Sequence, residues 1–156
     1  MDVILIPGFW LDSSSWDDLV PALEQAGYRT HALTLPGMQA KDADRSGVTL
    51  RDHIDAVVEV IDSVDPADGK VVLVGHSGGG AIAHAATDAR PARVARVVYV
   101  DSGPLGDGGV INDELPAENG EVPREVDFVD LPTGHWPQFT RPQELSQAIL
   151  ASISPA

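Results

Sequence analysis

The sequence predicts an α/β fold in three layers, a parallel sheet of about five strands with helices on both faces. Short apolar runs rich in Val and Ile alternate with longer segments of helical period, the pattern of strands joined by crossover helices. Three of these runs are nearly continuous in Val, Ile and Leu, as strands covered on both faces require. The length of 156 residues, 43% hydrophobic, suits one domain spanning 1–156, large enough to bury roughly 70% of the surface its unfolded chain would expose.

The elements follow in order. "DVILIP" (2–7) is the first strand, ended by Pro7 and Gly8. "SSSWDDLVPALEQAG" (13–27) reads as one helix, with a serine cap, acidic residues in its first turn, Trp16, Leu19, Val20 and Leu23 at helical spacing and Gly27 at its end. "YRTHALTL" (28–35) is the second strand. "TLRDHIDAVVEVIDSV" (49–64) is a helix capped by Thr49, with Ile54, Val57, Val58 and Ile61 on one stripe. "KVVLVG" (70–75) is a strand that runs into the helix "GGGAIAHAATDA" (78–89), and "VARVVYVD" (94–101) is the next strand. Residues 102–124 break the alternation with glycine, proline and acid and read as a long loop. "EVDFVDL" (125–131) is the fifth strand, and "RPQELSQAILASI" (141–153) is the last helix, with Pro142 near its start.

Composition narrows the partners. A formal net charge of −14 repels phosphate backbones and anionic lipid surfaces, so neither nucleic acid nor membrane is expected as a partner. The absence of cysteine removes disulfides, thiolate metal sites and a cysteine nucleophile together. "MDVILIPGFW" has no basic segment, and its apolar run is too short for a signal core or a membrane span. A soluble, cytoplasmic chain is expected.

The chemistry centres on Gly75-His76-Ser77-Gly78-Gly79, a G-x-S-x-G sequence between a strand and a helix. Glycines clear side chains from a tight turn, and the serine is lifted to a helix N-terminus, where free N–H groups favour developing negative charge. A serine nucleophile needs a base. Of the five histidines, His135 lies in the loop before the last helix, at the carboxyl edge where such sheets build their sites. His31, His53 and His84 fall within a strand or on helices and read as packing or surface residues; the His76 side chain should leave the turn in another direction from Ser77. Asp101, ending the strand beside the nucleophile strand, is the candidate acid that orients the imidazole; Asp107, Asp127 and Asp130 are substitutes. The Gly78 N–H is one oxyanion donor, and Phe9, in "PGFWLDSSSW" after the first strand, supplies the other. Trp10, His76 and Trp136 flank these groups and are the candidates for contact with substrate.

With "PGFWLDSSSW", "GHSGGG" and "GHWPQFTRPQEL" in this order, the chain resembles the α/β-hydrolase family, particularly its small esterase-like members, over nearly its whole length. The resemblance implies Ser77 as nucleophile, His135 as base and the Phe9 N–H as an oxyanion donor. A serine at the elbow sets it apart from the haloalkane dehalogenases of that family. Members usually carry more residues between elbow and histidine, including a cap over the site and a further strand with the acid. Here the chain resembles a hydrolase shortened, naturally or by engineering, in its cap and one strand, leaving five strands in the flavodoxin-like order 2-1-3-4-5.

The expected function is hydrolysis of small or short-chain carboxylic esters through an acyl-enzyme on Ser77, with no metal or organic cofactor. The same triad supports lyase chemistry. The alternative from another class is a weak or inactive hydrolase fold serving as a binding protein or minimal scaffold. An uncovered sheet edge or apolar face would favour self-association into a homo-oligomer.

Overall fold

The computed structural model describes residues 1–104 and 129–154. Among these, four parallel strands form one sheet in the order β2-β1-β3-β4, comprising β1 (Asp2–Ile6), β2 (Arg29–Ala32), β3 (Val71–His76) and β4 (Val94–Val100). This is the expected order up to the fourth strand. Of the expected fifth strand, 125–128 lie outside the described residues and 129–131 carry no strand. Most of the expected loop, with Asp107, also lies outside them, as does Asp127 of the expected fifth strand.

β1 and β3 are buried along their whole lengths, and their alternating side chains feed two cores. Ile4, Ile6, Val71 and Leu73 pack with Val57 and Ile61 of α2 (Leu50–Ser63) and Ile82 and Ala86 of α3 (Gly78–Ala89). Val3, Leu5, Val72 and Val74 pack on the other face with Leu23 of α1 (Val20–Gln25) and Leu145, Ile149 and Ile153 of α5 (Pro142–Ile153). Each such buried side chain contributes about 1.5 to 3 kcal/mol, and the two-faced burial explains why these strands read as unbroken apolar runs.

Local sequence accounts for most element ends. Thr49 caps α2 through a reciprocal pair, its hydroxyl accepting from the Asp52 N–H while Asp52 accepts from the Thr49 N–H. The segment 13–27 is not one helix. A 3-10 turn at Ser13–Trp16 is capped by Asp12 rather than by serine, and α1 begins only at Val20. Pro21 is the reason, since its ring and missing N–H are tolerated in a first helical turn and not further in. At the far edge of β1, Asp2 accepts hydrogen bonds from Arg29 (2.7 Å) and from His31 (2.8 Å), tying β2 in place. Burial would raise the Asp2 pKa, but these two partners outweigh it and hold the group below its ordinary value.

Candidate active site

All the site elements converge on the carboxyl edge of the sheet. Residues 7–10 leave β1, Ser77 follows β3, and Asp101 follows β4. Among the described residues, three that are not glycine have positive φ, namely Trp10 (71°), Ser77 (50°) and Asp101 (44°), and each follows the end of one of these strands. Backbone strain of this kind costs about 1 to 3 kcal/mol per residue and persists only where surrounding packing imposes it.

At Ser77 the packing is explicit. The Ser77 N–H donates to the Val100 carbonyl at 3.0 Å, and the Ser77 carbonyl accepts from the Gly80 N–H at 2.9 Å and from the Ser102 hydroxyl at 2.7 Å. Helix α3 approaches the end of β1 so closely that a Cβ at Gly79 would lie 2.6 Å from the carbonyl oxygens of Ile6 and Pro7. The serine is therefore held at the first turn of α3, half-buried, with its side chain outside the helical ladder. Among the described residues its hydroxyl makes no hydrogen bond to His135.

The Phe9 ring covers Gly78, where an added Cβ would meet the ring at 2.6 Å. The two residues expected to offer oxyanion N–H groups are thus neighbours. Across the site, His135 Nδ1 hydrogen-bonds Asp101 Oδ2. A carboxylate only accepts, so the proton sits on Nδ1 and the lone pair of Nε2 is left for another proton. Both side chains are about half exposed, 45% for His135 and 51% for Asp101. Asp130 is exposed, and Asp101 is the carboxylate that meets the imidazole.

The flanking residues divide. Trp10 is 82% exposed and Trp136 40%, with the Trp136 ring edge-on to His135 at 5.0 Å. His76, expected to touch substrate, is instead wholly buried, and a side chain without accessible surface does not line the open face of a site. Burial holds its pKa below the ordinary histidine value. The remaining histidines serve structure: His53 Nε2 bonds the Pro36 carbonyl at 2.9 Å, and His84 Nδ1 shares a 2.9 Å hydrogen bond with the hydroxyl of Tyr99, whose pKa is pushed up to about 12 by burial and by Asp88.

Two neighbours escaped sequence reasoning. Ser102 follows Asp101 in an unremarkable "DSGP", and nothing local marks it. Gln138, buried in the short α4 (Pro137–Thr140), donates from Nε2 to His76 Nδ1 at 3.3 Å. Its one available signal was its place a helical turn beyond His135. Among the described residues, no group of three or more His, Asp or Glu side chains is placed to hold a metal ion, and no helix is long and apolar enough to cross a membrane.

A parallel α/β sandwich whose carboxyl edge carries a glycine-flanked, strained serine and a histidine–aspartate pair is the class that this architecture defines. Within it the chain belongs to the alpha/beta hydrolase family, whose model matches residues 3–128. It is 32% identical to a pyrethroid hydrolase of Sphingobium wenxiniae over 155 residues, covering 96% of this chain and 54% of that protein. It is 34% identical to polyneuridine aldehyde esterase of Rauvolfia serpentina over 101 residues, covering 64% of this chain and 38% of the esterase. Among solved structures, polyneuridine aldehyde esterase superposes with a TM-score of 0.63 at 29% identity, over 70% of this chain and 43% of that one. A pyrethroid hydrolase from Sphingobium faniae gives 0.59 at 31% identity, over 68% and 42%. The chain therefore spans about half or less of the length of these relatives.

Proposed function

We propose that the chain hydrolyses small carboxylic esters through an acyl-enzyme on Ser77. The observation that carries this is the strained Ser77 turn at the head of α3, on the same sheet edge as the His135–Asp101 pair. The similarity to proteins named as esterases and hydrolases supports ester cleavage as the reaction class.

In the mechanism, Asp101 accepts a hydrogen bond from the Nδ1–H of His135 and so directs the Nε2 lone pair outward. His135 Nε2 takes the hydroxyl proton as Ser77 Oγ attacks the ester carbonyl, and the oxyanion is held by the N–H groups of Phe9 and Gly78. The imidazolium gives its proton to the leaving alkoxide, releasing the alcohol. Water, deprotonated by the same Nε2, attacks the acyl-enzyme; the acid leaves and Ser77 recovers its proton. No step calls for a metal or organic cofactor. Trp10 and Trp136 offer apolar surface to the acyl or alcohol group.

The test is intact-mass measurement after fluorophosphonate treatment, with p-nitrophenyl acetate hydrolysis on the same samples, for the wild type and Ser77→Ala. One adduct and hydrolysis, both lost in the variant, are expected. A folded wild-type protein that takes no adduct and turns nothing over would overturn the proposal and favour a binding or scaffold role.

A further inference from the structure

His76 stands where the three parts of the site meet. Its Nε2–H donates to the main-chain carbonyl of His135 at 2.7 Å. Its ring lies 5.0 Å from that of His135 and 5.4 Å from that of Trp136. Behind it, the loop after β1 presses so close that a Cβ at Gly8 would lie 2.7 Å from His76 Nδ1. Gln138 donates to that same Nδ1 at 3.3 Å. We propose that His76 is a positioning residue, a buried strut whose Nε2–H fixes the main chain of His135 against the serine elbow and the oxyanion loop.

The chemistry of the two ring nitrogens supports this. A carbonyl only accepts, so Nε2 must carry the proton; the Gln138 N–H occupies Nδ1, so that nitrogen stays an acceptor. The neutral ring is thereby locked in one tautomer and one orientation. Burial favours the same uncharged form. The strut matters because His135 comes from an irregular segment, with no strand or helix of its own at that residue. Its side chain is tied to Asp101, but its backbone is tied to the elbow through His76. Loss of that bond leaves the imidazole on its tether with its Nε2 free to wander from Ser77, and small misplacements of this kind are costly in rate.

The inference that His76 sets turnover rests on the Ser77–His135 reading above, whereas its holding of the loop does not. Two pairs of variants separate them. His76→Leu keeps bulk and removes the donor, while His76→Gln restores an amide N–H at the reach of Nε2. His76→Asn, whose amide ends near the position of Nδ1, loses the bond but stays polar and serves if the leucine variant does not fold. In the folded donor-less variants, amide exchange over 133–141 should quicken roughly tenfold, and kcat for p-nitrophenyl acetate should fall roughly tenfold with KM within about twofold. His76→Gln should recover both to within about threefold. Unchanged exchange in a folded leucine or asparagine variant would overturn the strut. A proportional rise in KM, or no recovery with glutamine, would overturn positioning in favour of simple packing. If Ser77→Ala still hydrolyses the ester, the catalytic reading falls and the exchange comparison alone decides the strut.

Discussion

Replacing Gly79 by alanine tests how the elbow is built. The new methyl would stand 2.6 Å from two backbone oxygens, those of Ile6 and Pro7, and 3.1 Å from the Ile6 carbonyl carbon. Ordinary contact begins near 3.4 Å, so a gap of about 0.8 Å must open between α3 and the end of β1. Neither oxygen can rotate away, because both belong to the main chain leading out of a central strand. Overpacking of this kind costs about 1 to 3 kcal/mol, and the helix propensity that alanine gains over glycine, about 1 kcal/mol at most, offsets only part of it. A net loss of about 1 to 2 kcal/mol should lower the urea midpoint by roughly 0.5 to 1 M. Activity should suffer more than stability, because the displaced helix carries Ser77 and Gly78 away from the Phe9 loop. A fall of about a hundredfold in kcat/KM is expected at temperatures where the variant is folded. Gly47→Ala is the control: nothing lies within 4 Å of its added Cβ, and the stability should stay within about 0.5 kcal/mol of wild type. A Gly79→Ala protein with wild-type midpoint and wild-type rate would refute the close seating of α3 on β1.

Other outcomes follow from the same structure. Asp101→Asn should lower kcat/KM about a thousandfold or more while the circular dichroism spectrum is unchanged, since an amide no longer selects the Nδ1–H tautomer of His135; an active variant would remove Asp101 from the mechanism. Thr49→Ala should lower stability by about 1 kcal/mol, measured by urea unfolding, because it breaks both halves of the capping pair on α2. Burial lowers the pKa of His76, with the charges of His135 and Asp101 acting on it in opposite senses. Its neutral form therefore stabilises the fold fully above its unfolded value of 6.5, and that contribution is lost as pH falls from there toward the folded value. The urea midpoint of the wild type should drop between neutral pH and about pH 5 by more than that of His76→Gln; equal slopes would show that His76 does not contribute.

Much of this molecule was legible from short-range rules. Unbroken Val and Ile runs marked β1 and β3 because both faces of these strands are covered, and Thr49 marked the start of α2 because capping needs only neighbours in sequence. Where a proline stood inside a helical pattern, at Pro21, apolar spacing suggested one long helix and the ring decided otherwise. Ser77 was readable for the same local reason: a strand, a tight glycine turn and a helix N-terminus are all specified within a few residues.

The pairings around the elbow belong to tertiary structure. Asp101 and His135 lie 34 positions apart in sequence, and His76 meets the carbonyl of a residue 59 positions away. Their pairing depends on which strands are neighbours and where each chain segment leaves the sheet. Sequence alone therefore named the serine, whose turn is set by adjacent residues, and offered His135 and Asp101 as candidates from their places at the ends of elements. The burial of His76, the support from Ser102 and Gln138 and the meeting of Asp101 with His135 required the fold, because through-space contacts exist only once the sheet has brought its carboxyl edge together.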